Sequence, residues 1–413
     1  MQRTSRHSNK SDKEGFVGFS PLSKDRGEPT GLKGWESLHR KIATELAKID
    51  ALGRRRSLLD QRLLASALDL THNDYLGLRQ DSAFQTLAKT AAEKLPLGSG
   101  ASRLLGGNDP IFSQLEDAFA SYKGSETSLY FSSGFLANQG LMAAIAQNDV
   151  CVYSDALNHA SLIDGLRLIK KPSVQKVIFP HRDLHFLEKA LKSSRNELNV
   201  IVTESVFSMD GDIAPLADLQ ELAYRYRGVL LVDEAHAIGC HGKGGSGMIH
   251  QVGLSHEYLI SVNPCGKAMG LQGAFICAPK WFRDYLINAA RPFIFSTAPS
   301  PFIAAALLQS IEYVQTLDSR REHLQDVAQF FKQELGKKCG ATQNSQTHIV
   351  PYIVGDENKA VALSERLQEC GVFCRAIRPP TVAPGTSRLR FSLHAMVQKE
   401  DVLHIIETLQ RFL

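Results

Sequence analysis

The sequence predicts an α/β protein, with a large domain around a mostly parallel β-sheet and a smaller C-terminal α+β domain. The chain has 413 residues, more than one small domain usually holds. From about residue 85 to residue 300, short β-rich runs alternate with helical stretches, as in strands joined by crossover helices. Residues 229–232 form a continuous apolar run, which is typical of a strand buried on both faces.

The N-terminal part of the chain precedes this alternation. Residues 1–33 are polar and aperiodic, so we expect a disordered or loosely attached arm. Residues 34–70 are predicted to form a helical segment, because Leu38, Ile42 and Leu46 recur at helical spacing. No apolar stretch follows the basic first residues, so no secretory signal is predicted.

The large domain is expected to span residues 71–301. Its predicted strands are residues 128–131, 150–153, 174–179, 199–203, 229–233, 258–262 and 274–277. Its predicted helices include residues 111–122, 184–192 and 216–226.

The C-terminal domain is expected to span residues 302–413 and to begin with one long helix, from about residue 302 to residue 335. Its predicted strands are residues 349–354, 372–376 and 388–392. Its other predicted helices are residues 358–369 and 399–413.

The composition of the chain argues against several classes of function. The chain is 43% hydrophobic and 22% charged, as in ordinary soluble globular proteins. A net charge of +4 implies no strong attraction to nucleic acid or to anionic membranes, and no run reaches the ~20 apolar residues that span a bilayer. The seven cysteines lack C-x-x-C pairs and disulfide spacing, which fits reduced thiols in a cytoplasmic enzyme. We predict no metal site.

Two carboxylates and a histidine follow the apolar run directly, as Asp233, Glu234 and His236. Charge at the end of a buried strand is costly unless it is paired, and ligands bind at this end of open α/β sheets. Further along, Lys267 stands among glycines, which let a bulky ligand approach the backbone. An aspartate that holds a pyridinium nitrogen and a lysine that forms a Schiff base are what pyridoxal 5'-phosphate (PLP) demands of a protein.

Further polar motifs follow other predicted strands. The turn at Gly134 and Phe135 offers backbone N–H groups to a phosphate at a helix N-terminus, although an ordinary strand–helix loop reads the same way. His159 could stack on a planar ring or could be structural, and the polar strand end at Glu204 could be only a capped turn. Arg388 lies beside rigid turns and could bind a carboxylate in a bidentate fork.

Taken together and in this order, the motifs resemble those of the α-oxoamine synthase family of fold-type I PLP enzymes. The resemblance runs from about residue 36 to the C-terminus. It rests chiefly on Asn73-Asp74-Tyr75-Leu76-Gly77, Ser133-Gly134-Phe135, Asn158-His159-Ala160-Ser161, Phe207-Ser208-Met209-Asp210-Gly211, Asp233-Glu234-Ala235-His236, Gly266-Lys267, Phe295-Ser296-Thr297 and Arg378-Pro379-Pro380-Thr381-Val382.

The resemblance implies a PLP site with four catalytic residues. Lys267 would hold PLP covalently and move protons, Asp233 would pair with the ring nitrogen, and His159 would stack on the ring. His236 would approach the phenolic oxygen. The other implied cofactor-binding residues are Gly134 and Phe135 at the phosphate, Ser208 at the phenolic oxygen, Glu204, and Thr297, which would reach the phosphate of a partner subunit in a homodimer.

For the reaction, the resemblance implies a decarboxylating condensation of L-alanine with an acyl thioester of CoA or of an acyl carrier protein. Asn73 and Arg388 would hold the amino-acid carboxylate. Pro264 departs from the family, which usually has a threonine three residues before the lysine, where its hydroxyl binds phosphate. Two alternatives stay open: a sister enzyme such as glycine C-acetyltransferase, and a non-catalytic PLP-fold binding protein, for which Pro264 is the one argument.

Overall fold

The computed structural model describes residues 30–56, 58, 67–146, 149–340 and 344–413. The chain divides into two compact units, residues 1–57 and residues 58–413. In the first unit, helix α1 spans Thr30–Ala51. The predicted arm lies outside the described residues up to residue 29, and its last residues, 30–33, belong to α1. The predicted helical segment 34–70 was wrong beyond Ala51, where α1 ends, and at residues 68–69, which form a short strand; residues 59–66 lie outside the described residues. The predicted domain boundary near residue 301 stays a prediction.

The second unit is built on a seven-stranded sheet, preceded by the short strand β1, Leu68–Asp69. The seven strands are β2 Thr127–Phe131, β3 Val150–Asp155, β4 Gln175–Phe179, β5 Leu198–Glu204, β6 Gly228–Asp233, β7 Leu259–Pro264 and β8 Ala274–Ala278. Their order across the sheet is β2-β8-β7-β6-β5-β3-β4, and only β8 runs antiparallel to its neighbours. This topology confirms the predicted mostly parallel α/β sheet.

Helices cover both faces of this sheet. They are α2 Ser82–Ala92, α3 Pro110–Tyr122, α4 Gly134–Ile145, α5 Ala160–Leu168, α6 Leu184–Ser193, α7 Leu216–Arg225, α8 Met248–Gln251, α9 Lys280–Ala289 and α10 Arg291–Ile294. Along β6, Leu230 and Val232 belong to one apolar core cluster, whereas Leu231 belongs to the cluster on the other face. Side chains alternate across a strand, so burial on both faces explains the continuous apolar run.

The C-terminal part contains a small antiparallel sheet of β9 Ile349–Gly355, β11 Arg375–Ile377 and β12 Ser387–Ser392, in the order β11-β12-β9. Strand β10, Val372–Phe373, pairs instead with β1. The prediction of one strand over residues 372–376 was therefore wrong, because the chain changes sheets at Cys374. The remaining helices are α11 Pro301–Gln315, α12 Asp318–Cys339, α13 Glu357–Glu369 and α14 Lys399–Gln410.

The single long helix predicted over residues 302–335 was also wrong, since α11 ends at Gln315 and α12 begins at Asp318. The guanidinium of Arg321 donates to the carbonyl oxygens of Val314 and Gln315, at 2.8 and 3.4 Å. Both carbonyls lie in the last turn of α11, where carbonyl oxygens have no i+4 partner within the helix, so Arg321 stabilises the break. Among the described residues, no helix combines the length and the apolar character needed to cross a bilayer.

Candidate active site

A cavity of about 150 Å³ lies at the carboxyl ends of the central strands. It brings together seven of the site residues that the sequence predicts. Its lining residues are Gly134, Phe135, Asn138, His159, Ser161, Glu204, Asp233, Ala235, His236, Pro264 and Lys267. They come from the N-terminus of α4, the approach to α5, the ends of β5, β6 and β7, and the loops that follow β6 and β7.

Asp233 ends β6 and is almost fully buried, with 3% of its surface exposed. Its Oδ2 accepts a hydrogen bond from the Asn138 side-chain amide at 2.7 Å, and its Oδ1 accepts one from the Ala235 N–H at 2.9 Å. The carboxylate is therefore held in one orientation, which a buried charge requires if it is to face a cationic ligand.

Two residues that the sequence analysis missed connect Asp233 to His159. Asn138 donates to Ser161 Oγ at 2.9 Å as well as to Asp233. The Ser161 N–H donates to His159 Nδ1 at 3.2 Å, and Ser161 Oγ lies 2.8 Å from the same nitrogen. Because a backbone N–H can only donate, Nδ1 is the unprotonated nitrogen of a neutral ring, and the proton sits on Nε2. Burial lowers the pKa of His159, which favours this neutral form.

A second carboxyl group, that of Glu204, stands beside Asp233. Strands β5 and β6 pair in parallel with Glu204 opposite Asp233. Burial and then the neighbouring charge of Asp233 raise the pKa of Glu204 well above its ordinary value. The raised pKa favours the protonated form of Glu204, and its buried Oε1 has no partner among the described residues. A neutral carboxylic acid can donate a hydrogen bond into the cavity.

Lys267 enters the cavity from a tight loop between β7 and β8. Gly270, with φ of +73°, closes the loop by donating its N–H to the Lys267 carbonyl at 2.9 Å. Burial lowers the pKa of the Lys267 ammonium group, while the charge of Asp233 acts in the opposite direction. A lowered pKa increases the fraction of neutral amine, which is the nucleophilic form.

His236 is fixed by a polar chain that leads to Asn73. Its Nδ1 lies 2.6 Å from the Tyr75 hydroxyl, which lies 3.0 Å from Asn73 Oδ1. Arg390 donates to Asn73 Oδ1 at 3.0 Å and to the Tyr75 hydroxyl at 3.4 Å. Burial, then the charges of Lys267 and Arg390, lower the pKa of His236 well below its ordinary value. Asn73 thus reaches the cavity only through Tyr75.

The first turn of α4 forms one wall of the cavity. Ser133 caps the helix by accepting the Leu136 N–H at 3.3 Å, while the N–H groups of Gly134 and Phe135 precede the first intrahelical bonds. A Cβ at Gly134 would lie 2.6 Å from Pro264 Cγ, so glycine is required there. The helix N-terminus and Pro264 are therefore in direct contact at the place where a phosphate would bind.

Besides Asn73, three predicted residues do not line the cavity in the single chain. Ser208 is buried, and its carbonyl oxygen accepts from Arg390 Nε at 2.6 Å. Thr297 is exposed in the segment between α10 and α11. Arg388 forms an ion pair with Asp210 at 2.5 Å. Arg390 is two residues further along β12 and so shares the face of Arg388, but it extends to Asn73 and Tyr75.

His181 joins the two loops that carry His159 and Ser208. Its Nδ1 lies 2.9 Å from Asp155 Oδ1 and its Nε2 lies 2.8 Å from Asp212 Oδ2. Burial favours the neutral ring, but the hydrogen bonds to the two carboxylates outweigh it and raise the pKa of His181 to about 9. The residue therefore stays an imidazolium at neutral pH and holds both loops.

The chain matches the aminotransferase class I and II family over residues 65–409. It is 40% identical over 356 residues to the 8-amino-7-oxononanoate synthase of Azoarcus sp. (strain BH72), covering 86% of this chain and 90% of the relative.

Two solved structures have the same fold. A serine palmitoyltransferase from S. paucimobilis with a bound PLP–myriocin adduct superposes with a TM-score of 0.79 at 28% identity, covering 84% of this chain and 87% of that chain. An 8-amino-7-oxononanoate synthase from Francisella tularensis superposes with a TM-score of 0.73 at 29% identity, covering 84% of this chain and 97% of that chain.

Proposed function

The chain belongs to the aminotransferase class I and II family, and we propose that it catalyses the PLP-dependent condensation of L-alanine with a pimeloyl thioester. The products are 8-amino-7-oxononanoate, carbon dioxide and a free thiol, a step of biotin biosynthesis. One observation carries this function: Asp233 and Lys267 face one cavity in a chain that resembles an 8-amino-7-oxononanoate synthase over most of its length.

The cavity fits PLP by the chemistry of its donors. It offers a buried carboxylate at Asp233, an amine of lowered pKa at Lys267, and the free N–H groups of a helix N-terminus at Gly134 and Phe135. These match a pyridinium nitrogen, an aldehyde and a phosphate, respectively. When bound, PLP supplies the electron sink that makes the α-proton of an amino acid removable.

We assign the remaining steps to residues of this chain. Asp233 keeps the ring nitrogen protonated, because a carboxylate held by two hydrogen bonds favours the neighbouring cation. Lys267 removes the α-proton from L-alanine and later returns a proton to the product. His159 would present its ring to the cofactor, His236 and Ser208 would approach its phenolic oxygen, and Glu204 would be a further cofactor-binding residue. The raised pKa of Glu204 would let it act as a hydrogen-bond donor.

Asn73 and Arg388 remain our proposed ligands for the amino-acid carboxylate. The hydrogen bonds that support Asn73 run through Tyr75 and Arg390 to His236. Arg388 is paired with Asp210 in the structure and must exchange that partner for the substrate carboxylate.

We propose a homodimer in which Thr297 reaches the phosphate in the partner's cavity. Thr297 is exposed, Phe295 in the same loop is 68% exposed, and Leu105, in the loop that follows residue 101, is 80% exposed. Their two loops are joined by a hydrogen bond of 2.9 Å from the Ala298 N–H to the Ala101 carbonyl. Exposed apolar side chains in adjoining loops mark an interaction surface. A monomer by light scattering would contradict this assignment.

We place the enzyme in the cytoplasm. All seven cysteines are free thiols in the structure, and five of them are buried. Burial raises the pKa of Cys151, Cys265 and Cys374, which keeps these thiols protonated and unreactive. Unpaired, protonated thiols are typical of proteins in a reducing compartment.

A product assay tests the function and separates it from the sister enzymes. Purified protein is given L-alanine or glycine together with pimeloyl, succinyl or acetyl thioesters, and products are identified by mass spectrometry. We expect 8-amino-7-oxononanoate with L-alanine and the pimeloyl thioester as the preferred pair. Preference for glycine and acetyl-CoA would assign the chain to glycine C-acetyltransferase, and no product with any pair would favour a non-catalytic binding protein.

A further inference from the structure

A cavity of about 280 Å³ lies outside the catalytic cavity and shares no lining residue with it. It is formed mainly by α12, by the loop that follows β6 and by the segment that precedes β9. His241, His348 and Lys332 are among its lining residues, and both histidines are buried. We call it the histidine cavity.

Lys332 gives this cavity a positive charge that no carboxylate balances. Its ammonium group is partly buried and donates to the carbonyl oxygens of Ser345 and Thr347 at long distances, 3.5 and 3.4 Å. No aspartate or glutamate lines the cavity. Burial lowers the pKa of the Lys332 ammonium group, and no neighbouring carboxylate opposes that shift. A partly buried charge without a counter-charge is costly, so the cavity favours an anion.

The acidic residues that adjoin the histidine cavity have other partners or face solvent. Asp212 pairs with His181, and Glu234 pairs with Lys123. Asp326, on α12, is exposed and does not line the cavity. None of these carboxylates therefore neutralises the lysine of the cavity.

The lining of the cavity also includes a hydrogen-bond acceptor without a donor. Gln251 Oε1 accepts the Gly242 N–H at 3.2 Å, which identifies this atom as the oxygen, and it lies 3.3 Å from His241 Nδ1. Nδ1 therefore carries the ring proton, which leaves His241 Nε2 as an acceptor. This Nε2 is buried and has no partner among the described residues. Buried polar atoms are rarely left unpaired, so a ligand that donates a hydrogen bond suits this position.

His348 is the second buried imidazole of the cavity, and it connects the cavity to the catalytic site. Its Nε2 also lacks a partner in the described part of the chain, and its ring centroid lies 5.9 Å from that of His241. The same ring packs against Tyr75 with 4.0 Å between centroids. Tyr75 in turn places its hydroxyl 2.6 Å from Nδ1 of His236. A ligand in contact with His348 therefore acts on the catalytic cavity through one aromatic side chain.

We propose that the histidine cavity binds an oxyanion that keeps an O–H group at neutral pH, such as hydrogen phosphate or bicarbonate. The negative oxygens accept from Lys332 Nζ, and the O–H group donates to His241 Nε2. Exposed side-chain amides of the lining can donate to the remaining oxygens, and they belong to Gln251, Gln325, Gln329 and Gln346.

Two other classes of ligand fit the cavity less well. An ionised carboxylate only accepts hydrogen bonds, so it would leave His241 Nε2 unpaired. A metal ion would be repelled by Lys332, and the described residues contain no group of three histidine, cysteine, aspartate or glutamate side chains that could hold one. An anion that also donates a hydrogen bond satisfies both Lys332 and His241.

The binding test uses the PLP-loaded protein, in which the cofactor occupies the catalytic phosphate site. Inorganic phosphate, bicarbonate and sulfate are titrated separately by calorimetry at neutral pH, in a buffer that contains none of these ions. Sulfate has the shape of phosphate but no proton at this pH. We therefore expect sulfate to bind at least about tenfold more weakly than the tighter of the other two ions, because one hydrogen bond is lost. That tighter ion is the ligand.

Variants then assign the binding to the histidine cavity. Lys332→Gln and His241→Leu should each weaken binding about tenfold or more, because each removes one partner of the ion. The matched control is Lys337→Gln, since Lys337 is a 68% exposed lysine on the same helix, and its affinity should equal that of wild type. Sulfate bound as tightly as the other ions, no binding to wild type, unchanged affinity in Lys332→Gln, or an equal loss in the control would overturn the proposal.

The coupling to the catalytic site is measured in steady-state assays with the bound ion, and this readout rests on the proposed function. We expect the ion to change KM for L-alanine by about twofold or more in wild type but not in Lys332→Gln, because His348 holds Tyr75 beside Asn73. Ion binding that responds to the variants in a protein without turnover would mean that the proposed function fails and the site stands. Ion binding with an unchanged KM would refute the coupling through Tyr75.

Discussion

Replacing Pro264 by threonine tests whether the phosphate site lies where the helix N-terminus places it. Pro264 ends β7 opposite Ala274 of β8, and its ring contacts the position where a Cβ on Gly134 would lie. Proline offers neither a hydroxyl nor an N–H. The hydroxyl of a threonine here would stand next to the free N–H groups of the first turn of α4.

The expected gain in PLP affinity follows from one added hydrogen bond. A bond to a charged phosphate contributes about 1.5–3 kcal/mol, which corresponds to about 10- to 100-fold tighter binding of PLP. Pro264→Val is the matched control, because valine has the shape of threonine and restores the N–H but lacks the hydroxyl. Loss of the proline ring also gives the unfolded chain more freedom, by about 0.4–1 kcal/mol, equally in both variants.

The assay titrates PLP into the cofactor-free form of each protein and follows the change in absorbance. We expect the dissociation constant to fall in Pro264→Thr and to remain near the wild-type value in Pro264→Val. If both variants bind PLP as wild type does, other groups already satisfy the phosphate, and the reasoning that Pro264 weakens the phosphate site is refuted. Equal tightening in both variants would assign the gain to the backbone N–H.

Three further changes test individual residues. Asp233→Asn should retain PLP but lower kcat by at least about 100-fold; an unchanged kcat in steady-state assays would remove Asp233 from the ring nitrogen. Arg388→Ala should raise KM for L-alanine by about 10-fold or more and leave KM for the acyl thioester unchanged; if only Arg390→Ala has this effect, Arg390 is the carboxylate ligand. His181 has a higher pKa in the folded protein, about 9, than its ordinary 6.5, so its stabilising contribution is complete below pH 6.5 and is lost as pH rises through 9. Urea unfolding should therefore show a deficit of His181→Gln on the order of 2–3 kcal/mol at pH 6 that shrinks toward pH 9.5; a deficit independent of pH would contradict the charged state.

The central sheet could be predicted because its strands carry a local signal. The run at residues 229–232 is apolar on both faces, and the structure buries it on both faces. The break between α11 and α12 carries no such signal, since it depends on Arg321, whose own position depends on the folded α12. For the same reason, nothing in residues 372–376 shows that the two halves of this segment pair with different sheets.

The same contrast between local signals and contacts made only in the folded chain applies to the site residues. Residues that act directly on a ligand, such as Asp233 and Lys267, stand in recognisable motifs, and the fold brings them to one cavity. The residues that hold them were missed. Asn138 carried a usable signal, because it is a polar residue in the apolar helix α4 and is 1% exposed. Arg390 carried none that separated it from Arg388, since both lie on one face of β12.

We assign the covalent attachment of the cofactor to Lys267, and one chemical measurement tests this assignment. The purified protein loaded with PLP is reduced with borohydride, which converts a lysine–PLP linkage into a stable amine, and is then digested for tandem mass spectrometry. We expect a single phosphopyridoxyl group on Lys267, and none on the catalytic-site peptides of Lys267→Ala, whose product formation is also lost. A label on another lysine, or product formation by wild type with no label at all, would contradict it.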